Sequence, residues 1–255
     1  MKIKILGTGT SQGIPVVGCK CKVCTSPDSK DERLRVSVHI TTKSGLKILI
    51  DTSPDLRQQL LANKITAVDA ILVTHEHNDH IIGLDDVRPI NFLHKKVLPL
   101  YANERVIKDI RSKFSYAFGP SPYPGGPRLE TNIIDQEQFT IQGEKIQVIK
   151  IWHGKLPILA FRIDKFAYVT DIKTIETVEL NKLMGLEVLV ISTLREEEHP
   201  SHLSLTEVVE IIEKIQPQRT YLTHISHQFG THEEISAMLP GNLKAAFDGQ
   251  IITID

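Results

Sequence analysis

The 255-residue sequence predicts an α/β protein of two mixed sheets with helices packed outside them. Short apolar strands alternate with amphipathic helical stretches through both halves of the chain. There is no low-complexity segment, no long charge block and no repeat at solenoid spacing. The composition, 41% apolar and 24% charged, supports a sizeable core. A single domain over residues 1–255 is expected.

The elements follow in order. "IKILG" (3–7), "VSVHIT" (36–41), "LKILID" (46–51), "AILVT" (70–74) and "VLPLY" (97–101) read as strands, with helices near 54–63, 84–94 and 103–113. "FTIQGEKIQVIKI" (139–151) reads as a hairpin. Strands follow at 158–163, 166–170, 186–192, 219–223 and 250–254, with helices near 174–184, 205–215 and 232–238. Ser53 before Pro54 marks one helix start, and Ser204 with Glu207 makes a capping box at another. The Gly- and Pro-rich stretch 115–130 is expected to be a long surface loop.

Charge and length exclude several function classes. Lys and Arg total 30 against 31 for Asp and Glu, so no overall basic field exists to hold a nucleic-acid backbone or an anionic membrane. No stretch approaches the roughly 20 apolar residues of a membrane span, and the first apolar run is too short for a signal peptide. A cytoplasmic location is therefore expected. All three cysteines, Cys19, Cys21 and Cys24, fall in "GCKCKVC". An odd number cannot all pair within one chain, and a reducing cytosol does not preserve disulfides. Metal binding is their leading use; inert buried or redox thiols are the alternative.

Chemistry concentrates in "HEHNDH" (75–80), which places His75, His77, Asp79 and His80 within six residues just after a strand. A strand that turns into a helix there can direct His75 and His77 to one side and Asp79 and His80 to the other. That arrangement suits two adjacent cations, since catalytic zinc usually takes three protein ligands and keeps a position open. A His-Glu-x-x-His zinc site is excluded, because position 79 is Asp79. "GTGTSQG" (7–13) is not a dinucleotide fingerprint either: its third glycine is Gly13, one residue late. Gly7 and Gly9 are expected to let the backbone turn near the metal site, and Gly13 and Gly18 to shape the approach to the cysteines.

"HEHNDH" resembles the His-x-His-x-Asp-His signature of the metallo-beta-lactamase superfamily, whose fold is a four-layered αββα sandwich with a binuclear metal site at one edge. Downstream, "IWHGK" offers His153, "YVTDIK" Asp171 and "YLTHISH" His224, each just past a strand. The resemblance implies that His75, His77 and His153 bind one metal and Asp79, His80 and His224 the other. Asp171 would bridge both. Zinc, manganese and iron all suit such mixed ligation. Asp51 matches a position expected to support a ligand histidine, or simply organises a turn. With His224 so used, His227 is left as the best fourth ligand for Cys19, Cys21 and Cys24, a closed Cys3His structural zinc site.

"GCKCKVC" near one end and "THISHQF" near the other together resemble the PhnP-like phosphodiesterases. That family has a further histidine assisting the reaction, and "HPSHLSLTE" supplies His202 at the matching place, with His199 the lesser choice. His202 and Asp79 are thus the candidate catalytic residues, and His39, His94 and His232 belong to no motif. The implied activity is hydrolysis of a small cyclic or simple phosphodiester, such as 5-phosphoribosyl 1,2-cyclic phosphate or a 2',3'-cyclic nucleotide. Two cations sharing a water would acidify it to the attacking hydroxide. The superfamily often forms homodimers, so a homodimer is an expectation too. The rival readings are a transfer RNA 3'-processing endonuclease, disfavoured by the neutral charge, a hydrolase acting on thioesters or lactams, and a metal-binding module without hydrolytic activity.

Overall fold

The computed structural model describes residues 1–119, 121 and 123–254. Two seven-stranded sheets stack face to face. The first contains β1 (Lys2–Gly7), β2 (Ser37–Thr41), β3 (Lys47–Ile50), β4 (Ala70–Leu72), β5 (Leu98–Ala102), β6 (Leu129–Ile133) and the late β14 (Ile251–Thr253), in the order β14-β1-β2-β3-β4-β5-β6. The second contains β7 (Gln138–Ile141), β8 (Glu144–His153), β9 (Leu156–Ile163), β10 (Phe166–Val169), β11 (Val188–Ser192), β12 (Arg219–Thr223) and β13 (Leu243–Ala245), in the order β13-β12-β11-β10-β9-β8-β7.

Strand alternation builds three cores between four layers. On β3, Ile48 and Ile50 point between the sheets while Leu49 points outward; on β11, Val188 and Val190 point inward, Leu189 and Ile191 outward. The outward residues of the first sheet pack with α1 (Leu56–Ala62), α3 (Arg88–His94) and α4 (Glu104–Lys113). Those of the second pack with α5 (Thr177–Leu180), α6 (Leu205–Ile215) and α7 (His232–Met238). Central strands buried on both faces read as unbroken apolar runs, which is why they are plain in the sequence. The predicted αββα sandwich is the observed architecture.

Each sheet is antiparallel at one side and parallel at the other: β3-β4-β5-β6 and β10-β11-β12-β13 run parallel. Strand β8 is antiparallel to β9, and β9 to β10, so β8 ends at the same edge as β10. The ends of β3, β4, β8, β10 and β12 therefore supply loops to one edge, where ligands of open α/β sheets collect.

The differences from expectation are local. Helix α1 starts at Leu56, because the Ser53 hydroxyl accepts the Asp55 N–H and organises a preceding turn instead of capping. The helix expected over 84–94 is a 3-10 segment (82–87) followed by α3, and that over 174–184 shortens to α5 and a 3-10 turn (181–183) because Thr174 bridges Trp152. The expected loop 115–130 holds a 3-10 turn at 115–117 and ends in β6, an edge strand whose half-exposed "LETNI" shows little apolar periodicity. Pro120 and Pro122 lie outside the described residues. The Ser204–Glu207 capping box is present, and Thr231–Glu234 forms another on α7.

Candidate active site

The site begins with a four-residue helix, α2 (Asn78–Ile81), directly after the extended residue His77. This turn brings the side chains of "HEHNDH" together at one place, with His75 near both His77 and the His80–Asp171 pair. The Nε2 of His75 lies 3.1 Å from the Nδ1 of His77, and the donor atoms of His75, His77 and His153 lie within 4.8 Å of one another. Asp79, His80 and His224 form a second such triad. Between them stands Asp171, with Oδ2 3.3 Å from His80 Nε2 and Oδ1 3.1 Å from His224 Nε2.

Backbone geometry aims these side chains. Asp51, Asp171 and His224 have φ of 61°, 57° and 57°, in the left-handed region. Each follows a strand of the ligand edge and bends the chain there, where its side chain joins the site. Asp and His tolerate this region better than most residues, at about 1 kcal/mol each.

The surrounding groups fix ring orientation. Asp51 Oδ2 lies 2.7 Å from His80 Nδ1, which leaves Nε2 facing the triad. His75 Nδ1 lies 3.0 Å from the Thr74 hydroxyl, which donates to Asp51 at 2.9 Å. One buried carboxylate thus orients two histidines, one directly and one through Thr74. His153 Nδ1 donates to the Ser201 carbonyl at 2.8 Å. Thr74 and Ser201 carry no motif signal; only the fold brings them to the histidines.

Electrostatics matches the geometry. Burial would raise Asp171 and Asp79, but His224 and His80 for the first, and His80 foremost for the second, hold both well below the usual carboxylate range. Burial would lower His80, but Asp171, Asp51 and Asp79 hold it well above the ordinary histidine value. His75 is lowered, by burial first and by His80 second. His80 Nε2 and both His224 ring nitrogens are buried without a hydrogen-bond partner among the described residues, although carboxylates stand close. Such atoms cost about 1–3 kcal/mol each when left unmatched. Imidazole and carboxylate donors converging in this way fit divalent transition metals.

His202 belongs to neither triad, although its donor lies within 4.8 Å of those of His153 and Asp171. Its Nδ1 is 3.8 Å from Asp171 Oδ1, and its ring centroid is 4.5 Å from that of His153 and 4.8 Å from that of His224. Burial, then His224, pulls its imidazole down to about 3, so the ring is neutral at pH 7. A neutral ring offers an N–H donor, not the charge-assisted hydrogen bond of an imidazolium. His199 is 5.2 Å farther along the row of rings, with Nδ1 3.2 Å from the Ser201 hydroxyl.

The cysteines gather at a separate place. Cys19 Sγ and Cys21 Sγ lie 3.5 Å and 3.4 Å from His227 Nδ1, and the four donors with Cys24 are mutually within 4.8 Å. The backbone N–H of Cys24, then His227, draws the Cys21 thiol down to about 6, while burial pushes Cys24 up to about 11. Gly7 and Gly9 serve close approach, not turning: a Cβ would come within 2.0 Å of the Arg35 carbonyl oxygen and 2.7 Å of that of Arg33. Gly13 and Gly18 do take left-handed φ. Of the remaining histidines, His39 is buried, His232 contacts Arg33, and exposed His94 meets the Thr66 carbonyl.

Residues 47–225 match the beta-lactamase superfamily domain, and the chain belongs to that superfamily. A solved diphosphatase of the PhnP family superposes with a TM-score of 0.92 at 38% identity, over 100% of this chain and 98% of that one. Within the superfamily, this chain is a member of the PhnP family. Zinc-bound PqqB of Methylobacterium extorquens (TM-score 0.78, 17% identity, 100% of both chains) and the short form of human tRNase Z (TM-score 0.70, 17% identity, 100% of both chains) share the fold. An octanoyltransferase of Porphyromonas gingivalis is 45% identical over 176 residues, which make up 69% of this chain and 35% of that protein. This chain spans about a third of the length of the curated relatives it matches.

Proposed function

We propose that this hydrolase of metallo-beta-lactamase fold cleaves a small phosphodiester, cyclic or simple, at a site holding two divalent cations. The observation that carries the reading is the position of Asp171, within 3.3 Å of His80 and 3.1 Å of His224 and beside His202. His75, His77 and His153 would hold one cation, and Asp79, His80 and His224 the other, with Asp171 shared. When bound, a cation pair neutralises phosphoryl oxygens and acidifies water. Zinc, manganese and iron suit the donors, and the Cys3His set suits one structural zinc.

The protein's own groups do the rest. Asp79 and Asp171 stay ionised and fix the positions of positive charge. His202, neutral and held beside Asp171, directs an N–H as a hydrogen-bond donor at an oxygen of the reacting phosphate or of the leaving group. Loops from the strand ends orient these groups before substrate arrives, the preorganisation that makes electrostatic catalysis effective. The diphosphatase relative supports a second scissile bond, P–O–P, within the same chemistry. The transfer RNA reading has less support, since net charge is −1 and phosphate-backbone contacts need clustered Lys and Arg. No described helix is long and apolar enough to cross a membrane, and a cytoplasmic setting would keep the free thiols reduced.

The test is turnover by manganese-loaded protein on 5-phosphoribosyl 1,2-cyclic phosphate, 2',3'-cyclic nucleotides, a dinucleoside diphosphate and a transfer RNA precursor, with His80→Ala as control. Opening of a cyclic phosphate, lost in the variant, is the expected result. Cleavage of the RNA alone would overturn the small-substrate reading, and inactivity on all four would remove the phosphoester reading itself.

A further inference from the structure

Glu76 sits between two site histidines in sequence, yet its side chain pairs with Arg105 and joins neither triad. Its Oε2 accepts an N–H from Arg105 Nη2 at 3.1 Å, and Arg105 Nε lies 2.8 Å from Oε1, close enough to pair but off the line of a hydrogen bond. The same Nη2 donates to the Pro157 carbonyl at 2.7 Å. Pro157 is in β9, opposite Trp152 and next to the His153–Leu156 pair. Lys113, at the far end of α4, donates to the Glu76 carbonyl at 3.1 Å. Helix α4 thus grips Glu76 from both ends, and one guanidinium joins the 75–77 loop to the β8–β9 hairpin. These two loops supply His75, His77 and His153, which form one triad.

We propose that Arg105 is a positioning residue that sets the metal affinity of the His75, His77 and His153 triad by clamping the two loops that carry it. The inference rests on the two-cation reading above. The pair is partly exposed, with side-chain exposures of 39% for Arg105 and 19% for Glu76, so it adds little to global stability. Its effect is on where the histidines stand. A lysine could not reproduce the forked contact to carboxylate and carbonyl. Outer groups that orient metal-binding side chains typically change affinity 10–100-fold when lost.

The experiment titrates Co2+ into metal-free wild type, Arg105→Ala, Arg105→Lys, Glu76→Gln and a His153→Ala reference. Absorption and chelator competition give the site count and affinities. Thiolate charge-transfer bands read the cysteine site separately from the histidine sites. The expected result is a loss of about 10-fold in affinity at one histidine site in Arg105→Ala and Glu76→Gln, the site that His153→Ala removes, with Arg105→Lys intermediate. The cysteine site, the second histidine site and the thermal midpoint of the metal-free protein should not move. Unchanged affinities, or a weakening of all sites together with a lower midpoint in both arginine variants, would overturn the clamp. Wild type that fills only the cysteine site would instead overturn the two-cation reading, and the clamp with it.

Discussion

Asp51 and His80 are both fully buried, and the carboxylate Oδ2 lies 2.7 Å from the imidazole Nδ1. The contact fixes the ring so that Nε2 faces Asp79 and Asp171. Asp51→Asn keeps a side chain that tolerates the left-handed φ of 61° but removes the charge that orients the ring. The expected outcome is a folded protein whose metal affinity at the Asp79, His80 and His224 triad falls about 10–100-fold, measured by chelator competition. Undiminished affinity would show that Asp51 only shapes the turn.

His202→Ala is expected to leave metal stoichiometry intact while lowering turnover of a phosphodiester by about 10²–10³-fold, the usual cost of losing one hydrogen-bond donor to developing negative charge. His202 packs against His153 and His224 but belongs to neither triad, so its removal deletes no member of either. Metal content by elemental analysis, beside kcat, separates the two effects. A drop in metal content equal to the drop in rate would make His202 a ligand and not a donor.

A third expectation concerns acid stability. His39 is buried on β2 with Nε2 3.2 Å from the Ala67 carbonyl, and burial lowers its pKa to about 4 from an ordinary 6.5. Between those values the unfolded chain binds a proton that the folded chain does not. Stability attributable to this group is therefore whole above pH 6.5 and is lost as pH falls toward 4. Going from pH 7 to pH 5 should cost wild type about 2 kcal/mol more than His39→Gln, by urea denaturation at both values. Parallel losses in the two proteins would contradict the shift.

Cys21→Ser should remove one zinc equivalent and leave the histidine triads filled. The site ties residues 19–24 to His227, some two hundred positions away, so its loss frees an N-terminal loop. A contribution of only 2 kcal/mol would lower the thermal midpoint by about 4–8 °C, read by circular dichroism. No change in midpoint would mean that the loop is held by its other contacts, such as the pairing of Ile14 with Arg33.

The layers and the chemical identities of the site residues were legible because both are written locally. Leu49 between Ile48 and Ile50 announces a strand buried on both faces, and "HEHNDH" announces its use by density alone. What was not legible depends on distant parts of the chain meeting. Thr74 matters only because Asp51 and His75 flank it, and Ser201 only because its carbonyl reaches His153. The short α2 is too brief for a periodic signal, and β6 is an edge strand with little apolar face. The roles of Gly7 and Gly9 came from the close approach of Arg35 and Arg33, which no local pattern encodes.

The left-handed turns at Asp51, Asp171 and His224 restrict which residues each position can accept, whatever its chemistry. A β-branched or bulky replacement would fight the backbone before any question of ligation arose, while Asn or Gly would keep the chain path and erase the donor. Transplanting this donor set onto another sandwich would therefore require copying three left-handed bends of the main chain along with the side chains. A graft that matched only residue identities would place the right groups facing the wrong way.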